Sequence, residues 1–150
     1  MVVDSSSLIS LARAGVLDVL DRLPQRPRIL DVVWDEVVTA GRAGQHADAY
    51  AIHAVLGHEP RHPSADAPTI DHAVLLAAVS DGTLLANDLT LGRRARNLGA
   101  RWLRTADLIL LVHLAGWSTA EEASHGIAAL WSAGRITDSL RDDYREAIGE

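Results

Sequence analysis

Residues 83–96 read TLLANDLTLGRRAR. The apolar run that begins at Thr83 and Leu84 stops at Asn87-Asp88, and a helix-like pattern starts at once with Leu89. A strand that ends on a carboxylate and feeds directly into a helix is a unit of an open α/β sheet. Ligands of such sheets collect outside the carboxyl ends of the strands. Arg93, Arg94 and Arg96 follow within one or two turns, so the stretch sets a carboxylate beside cations that can hold phosphate.

Reading outward, Thr69 caps a helix over IDHAVLLAAVSDG, ARWLR is the next strand after the quoted stretch, and TADLILLVHLAG the next helix. At the other end MVVD is a short buried strand. SSSLISLARAG is a helix started by a serine cap, with Leu8, Leu11 and Ala12 on one face and Gly15 as its stop. VLDVLDRL is helical up to Pro24, and RPRIL is a second strand. Asp31 caps a helix through VVWDEVVTAG that Gly41 closes, and QHADAYAIHAVLG is a helix with Ala47, Tyr50, Ala51 and Ala54 along one side. HEPRHPSADAP holds three of the five prolines and reads as a loop, with a short strand expected near Gly57–Glu59. Ser118 and Glu121 form a capping box for TAEEASHGIAALWSAG, and Thr137 caps the last helix, through Tyr144. Strands alternating with helices predict an α/β fold with a mostly parallel central sheet covered on both faces.

A chain of 150 residues fits one domain, and 48% hydrophobic with 23% charged residues is ordinary globular composition. All 14 basic residues are arginine. Without lysine there is no Walker loop, and a phosphoacceptor receiver domain, which uses a late-strand lysine, is disfavoured. With no cysteine, disulfides, thiol catalysis and Cys-ligated zinc or iron–sulfur sites are excluded. Ser5, Ser6 and Ser7 sit in no GxSxG elbow. The opening MVVDSSSLIS has no basic n-region, and LILLVHLAG is too short to span a bilayer, so a cytoplasmic protein with no membrane partner is expected. The net charge of −6 argues against a basic coat for nucleic acid, but residues 89–104 carry +5 and leave −11 for the remainder.

Four carboxylates stand where an α/β sheet would gather them. Asp4 follows Val2-Val3, and Asp88 follows the strand at its own end. Glu36 lies in the first turns of the helix after the second strand, and Asp71 in the first turn of the helix before the Asp88 strand. Each has a structural reading, since acids suit helix N-termini and aspartates cap helices. Taken together, four such groups repel one another unless positive charge compensates, and an all-oxygen set suits Mg²⁺ or Mn²⁺ over zinc.

These residues resemble the PIN-domain nucleases, a family that includes the VapC-type toxins of bacterial toxin–antitoxin pairs. VVDSSSLI resembles the opening strand with its aspartate and a serine two residues on, here Asp4 and Ser6. VVWDEVV resembles the segment with the second acid, Glu36, with Asp35 the alternative; IDHAVLLAA resembles the helix with the third, Asp71. LLANDLTLGRRARNLG followed by ARWLRTADLILLVHLAG resembles the fourth-acid strand, with Asp88, and the closing helix. The resemblance implies a single PIN-like domain over 1–150 with a three-layer α/β/α fold, and the residues from about 117 to 150 read as a helical extension of it.

It further implies a metal-dependent endoribonuclease in which Asp4, Glu36, Asp71 and Asp88 are catalytic and hold Mg²⁺ or Mn²⁺. Ser6, Asn87, Arg93 and Arg94 would then bind substrate. Its partners would be an RNA substrate, a cognate antitoxin and a second copy in a homodimer. Relatives often carry Thr or Ser where this chain has Ala86, which leaves a second reading, a PIN-like module that binds RNA or a partner protein with little or no turnover. The extension beyond Gly116 is longer than a minimal toxin needs and fits a stand-alone relative as well.

The seven histidines make no convincing zinc set. His46 and His53 lie two helical turns, roughly 10 Å, apart, and His58 with His62 lacks a third ligand. His72 next to Asp71 has no assigned role. Trp102, Trp117 and Trp131 are expected to pack at the rim of the core rather than stack on bases.

Overall fold

The computed structural model describes residues 1–150. Strands β1 (Val2–Val3), β4 (Thr83–Leu85) and β5 (Arg101–Leu103) form one parallel sheet in the order β1-β4-β5. Strands β2 (Ile29–Leu30) and β3 (Arg61–His62) pair in parallel beside it. The two sheets join through a bridge between Val2 and Arg28, with Val3 N donating to Arg28 O at 3.1 Å and Arg28 N to Met1 O at 2.8 Å. The combined order is therefore β3-β2-β1-β4-β5. The chain runs outward from β1 through β2 to β3, then returns to β4 on the other side of β1. Such a reversal opens a crevice at the carboxyl ends of β1 and β4, where parallel sheets bind their ligands.

Helix α1 (Ser5–Ala14) follows β1 and packs with α4 (Ala47–Leu56), while α5 (Ile70–Asp81) and α6 (Leu89–Asn97) pack together ahead of and behind β4. Helix α7 (Thr105–Leu114) leaves β5 and packs with α8 (Ala120–Ser132) and α9 (Asp138–Ile148), and α8 also reaches α1. The expected three-layer α/β/α arrangement is what forms. Val2, Val3, Leu84 and Leu85 are fully buried, as strands covered on both faces must be. The C-terminal helices belong to the same core, through Ala123, Ile127, Leu130 and Ile148. No helix is long and apolar enough to cross a membrane.

Several boundaries differ from the sequence expectation. Asp4, not a serine, holds the N-cap position of α1. Asp31 is the first residue of a helix rather than its cap: α2 (Asp31–Trp34) continues through a π-turn (Asp35–Thr39) into α3 (Ala40–Ala43), past Gly41. The buried side of α4 is Ala49, Ile52 and Leu56, so Tyr50, 48% exposed, faces away from the core. The short strand of the proline-rich loop is Arg61–His62, not Gly57–Glu59. Thr119 with Glu122, not Ser118 with Glu121, makes the capping box of α8: the threonine hydroxyl accepts from Glu122 N at 3.1 Å and the carboxylate from Thr119 N at 2.8 Å. Helix α9 runs on to Ile148, beyond Tyr144. Trp117 and Trp131 are 42% and 40% exposed, and Trp131 is covered by Arg141 at 4.4 Å rather than by the core.

Candidate functional site

Asp4 begins where β1 ends, and its amide donates to Leu85 O of β4 at 2.9 Å, so the two strand ends are tied at this residue. Its side chain is buried, with 4% of the residue exposed. Ser6, in the first turn of α1, donates its hydroxyl to Asp4 Oδ2 at 2.9 Å and accepts from Asn87 N at 3.2 Å. One hydroxyl therefore links the carboxylate of one strand end to the backbone of the other. The Asn87 side chain carries the link further: its Oδ1 accepts from Thr105 N at 3.0 Å and its Nδ2 donates to Thr105 Oγ1 at 3.2 Å. The start of α7 is thus fastened to the end of β4.

Burial raises the Asp4 carboxyl above its ordinary range, the Ser6 hydroxyl and the amides of Ser5 and Ser6 oppose that, and repulsion from Asp71 adds to it. Asp71 is exposed at the second position of α5, whose start Thr69 caps by accepting from His72 N at 3.1 Å. Glu36, exposed in the π-turn, accepts the hydroxyl of Ser5, so neighbouring serines of α1 hold two different acids. Asp88 is the N-cap of α6 and accepts from Leu91 N at 2.9 Å. The structure thus couples Asp4 with Asp71 electrostatically, bridges Glu36 to the residue next to Asp4, and sets Asp88 two positions beyond the buried Ala86. No three His, Cys, Asp or Glu side chains converge as a ligand set.

Arg93 and Arg94 are exposed on α6 and form no ion pair; the chain's salt bridges use Arg13, Arg22, Arg26, Arg28, Arg141 and Arg145 instead. Arg96 and Arg104 lie over the Trp102 ring at 5.8 and 5.1 Å. The Ala86 side chain is fully buried, and its backbone serves β5, donating to Leu103 O at 2.9 Å and accepting from Trp102 Nε1 at 2.9 Å. The serine hydroxyl at the strand end comes from Ser6.

Ser5 and Thr105 are not signalled as site residues by their local sequence, and Asp31 has a role other than the helix cap its position predicts. Ser5 lies inside the quoted VVDSSSLI, and Thr105 opens the helix after β5 as a small hydroxyl residue beside a strand end. Asp31 stands at the end of β2, where Val32 N donates to its Oδ1 at 2.7 Å and Ser64 N at 3.2 Å. The Ser64 hydroxyl donates to the same oxygen and is the main reason the carboxyl is held below its ordinary range. This acid closes the loop after β3.

A family model described as a PIN domain matches residues 1–150. No curated protein and no solved structure matches the chain.

Proposed function

The chain belongs to the PIN-domain family, which is of nuclease type, and from that premise we propose that it is a divalent-metal-dependent endoribonuclease. The observation that carries the reading is Asp4, buried at the switch point of the sheet, with its carboxylate oriented by Ser6 and repelled by Asp71. A buried carboxylate repelled by a second acid is costly without a cation. Asp4, Glu36, Asp71 and Asp88 offer oxygen only, a donor chemistry that fits Mg²⁺ or Mn²⁺, and these four would hold it once the cation draws them together, since no three of them converge without it. When bound, the ion lowers the pKa of water and polarises a phosphodiester oxygen.

The chain's own residues do the remaining work. Ser6 holds Asp4 in one orientation and, through Asn87 N, fixes its distance from the β4 end. Asn87 and Thr105 lock the end of β4 to α7, so the strand ends cannot drift apart. Arg93 and Arg94, free of carboxylates on the helix that Asp88 caps, would bind the RNA backbone through their forked donors. The homodimer and the antitoxin belong to this reading through the toxin branch of the family. Equilibrium sedimentation checks the first, and co-purification with the product of an adjacent gene the second.

The test is cleavage of single-stranded RNA by the purified protein in Mn²⁺, alongside Asp88→Asn and an EDTA control. Mn²⁺-dependent cleavage that is absent from the variant is the expected result. Cleavage by Asp88→Asn, or equal cleavage in EDTA, rejects the reading.

A further inference from the structure

The C-terminal helices return to the sheet edge that carries Asp88. Arg135, in the turn between α8 and α9, and Tyr144 of α9 close a cavity of about 220 Å³ against Asn87, Leu89 and Arg104. Leu89 directly follows Asp88, and Asn87 belongs both to this cavity and to the strand-end network.

Two arginines line this space, and neither joins any of the chain's salt bridges. The Nε of Arg135 is buried and has no hydrogen-bond partner. The nearby acid, Asp107, uses one oxygen on the Arg104 amide at 2.8 Å and the other on the Tyr144 hydroxyl. In a chain of net charge −6, two cations left without carboxylates around one cavity are an arrangement that an anionic ligand would complete.

We propose that this cavity is a subsite for an RNA phosphate next to the scissile bond, with Arg104 and Arg135 as its donors. The proposal rests on the nuclease reading for the position of the scissile bond. Arginine suits the task because its planar fork meets two phosphate oxygens at once. Its neighbours in the cavity, Leu89 and Leu140, are apolar and would lie against the adjoining nucleoside rather than a second charge. The location, one residue from Asp88, favours a nucleic-acid strand over a partner protein's carboxylate. A strand held at Asp88 must place its next phosphate close by. The segment after Gly116 thereby acquires a role in substrate binding, through Arg135.

The test measures binding of a short fluorescent single-stranded RNA oligonucleotide by anisotropy in EDTA, with 5′-hydroxyl and 5′-phosphate forms. Wild type, Arg135→Gln, Arg135→Lys and Arg104→Gln are compared. The Arg135 side chain makes no hydrogen bond through Nε and no ion pair, so Arg135→Gln should melt like wild type. Expected is a loss of affinity of about tenfold in Arg135→Gln, with partial retention in Arg135→Lys. The slope of log affinity against log salt should shrink by about 0.7.

Equal losses for both oligonucleotides assign the cavity to an internal phosphodiester. A loss confined to the 5′-phosphorylated form assigns it to a chain end. Unchanged affinity for both forms overturns the subsite. Because binding is read without metal, the two readings fail separately. Arg135-dependent binding by a protein that never cleaves in Mn²⁺ removes the nuclease and keeps the subsite. Cleavage by wild type, matched by Arg135→Gln in KM and in binding, removes the subsite and keeps the nuclease.

Discussion

A Cβ at Gly92 would stand 1.9 Å from Cε2 of the Trp102 ring, so α6 and β5 approach as closely as they do only because residue 92 has no side chain. The same indole donates Nε1 to Ala86 O at 2.9 Å, two residues before Asp88. Gly92→Ala should therefore push the ring away and break that bond. Overpacking and a lost buried hydrogen bond together predict a destabilisation of about 3 kcal/mol. Urea unfolding should show a lower midpoint with an unchanged slope. A midpoint like wild type would mean that α6 does not rest on the indole.

Ser6→Ala removes a hydroxyl that donates to Asp4 and accepts from Asn87 N. About 1–2 kcal/mol of stability should go with it. Because the Ser6 bond lowers the Asp4 carboxyl, its loss should raise that group further. Calorimetric Mn²⁺ titrations should then show weaker binding, with affinity failing at a higher pH than in wild type as the carboxyl protonates. Ser6→Thr, which keeps the hydroxyl, should restore both. An unaltered pH profile in Ser6→Ala would remove Ser6 from the support of Asp4.

The strand-acid-helix unit at Asp88 was legible because local rules all agree there: an apolar run, a capping aspartate and a helical repeat. Asp4 and Ser6 were legible for the same reason, as they lie within three residues of one another at a strand end. The π-turn at Asp35–Thr39 leaves no mark on the apolar pattern, so that pattern predicts an ordinary helix with an early stop at Gly41. Strand β3 falls at Arg61–His62 rather than Gly57–Glu59, a position its sequence does not mark because it is an edge strand with an exposed Arg61 and no alternation to fix its register. Asp31 looks like a cap to any local reading, and its real partner, Ser64, is 33 residues away. Arg135 was invisible for that same reason: only the return of α9 onto α7 brings it beside Asn87. Local chemistry thus survives in the sequence where neighbours supply it, and is lost where the partner arrives through the fold.

Arg22 grips Glu122 with two bonds, Nη1 to Oε2 at 3.1 Å and Nη2 to Oε1 at 2.6 Å, and ties the start of α8 to the 3₁₀ segment Leu17–Arg22. That pairing, with the Thr119 amide, holds the Glu122 carboxyl down to about 2. A carboxyl whose folded value lies below its unfolded value contributes stability above the unfolded value and loses it as pH falls through the folded one. Carbon-13 NMR titration should therefore find Glu122 at about 2 in wild type and higher in Arg22→Gln. The difference in melting temperature between the two proteins should narrow as the pH falls from the ordinary carboxylate range toward 2. A Glu122 midpoint unmoved by Arg22→Gln would leave the Thr119 amide as its main partner.

Asp4 obeys the opposite sign. Burial and Asp71 place its folded value above 3.8, so between that value and the folded one the native state holds the extra proton and stability falls as pH rises. Above the folded value the whole cost of the buried charge is present. Asp4→Asn removes the charge while an amide oxygen can still accept from Ser6. In EDTA at neutral pH the variant should melt about 2–5 °C above wild type. The advantage should shrink as acid protonates Asp4 in the wild type. Adding Mn²⁺ should reverse the order, raising the wild-type melting temperature and leaving the variant where it was. Cleavage by the variant should be absent throughout. A group that weakens the metal-free fold and is required only when the cation is present is there for the reaction. A variant that melts lower than wild type in EDTA would instead make Asp4 a structural cap of α1.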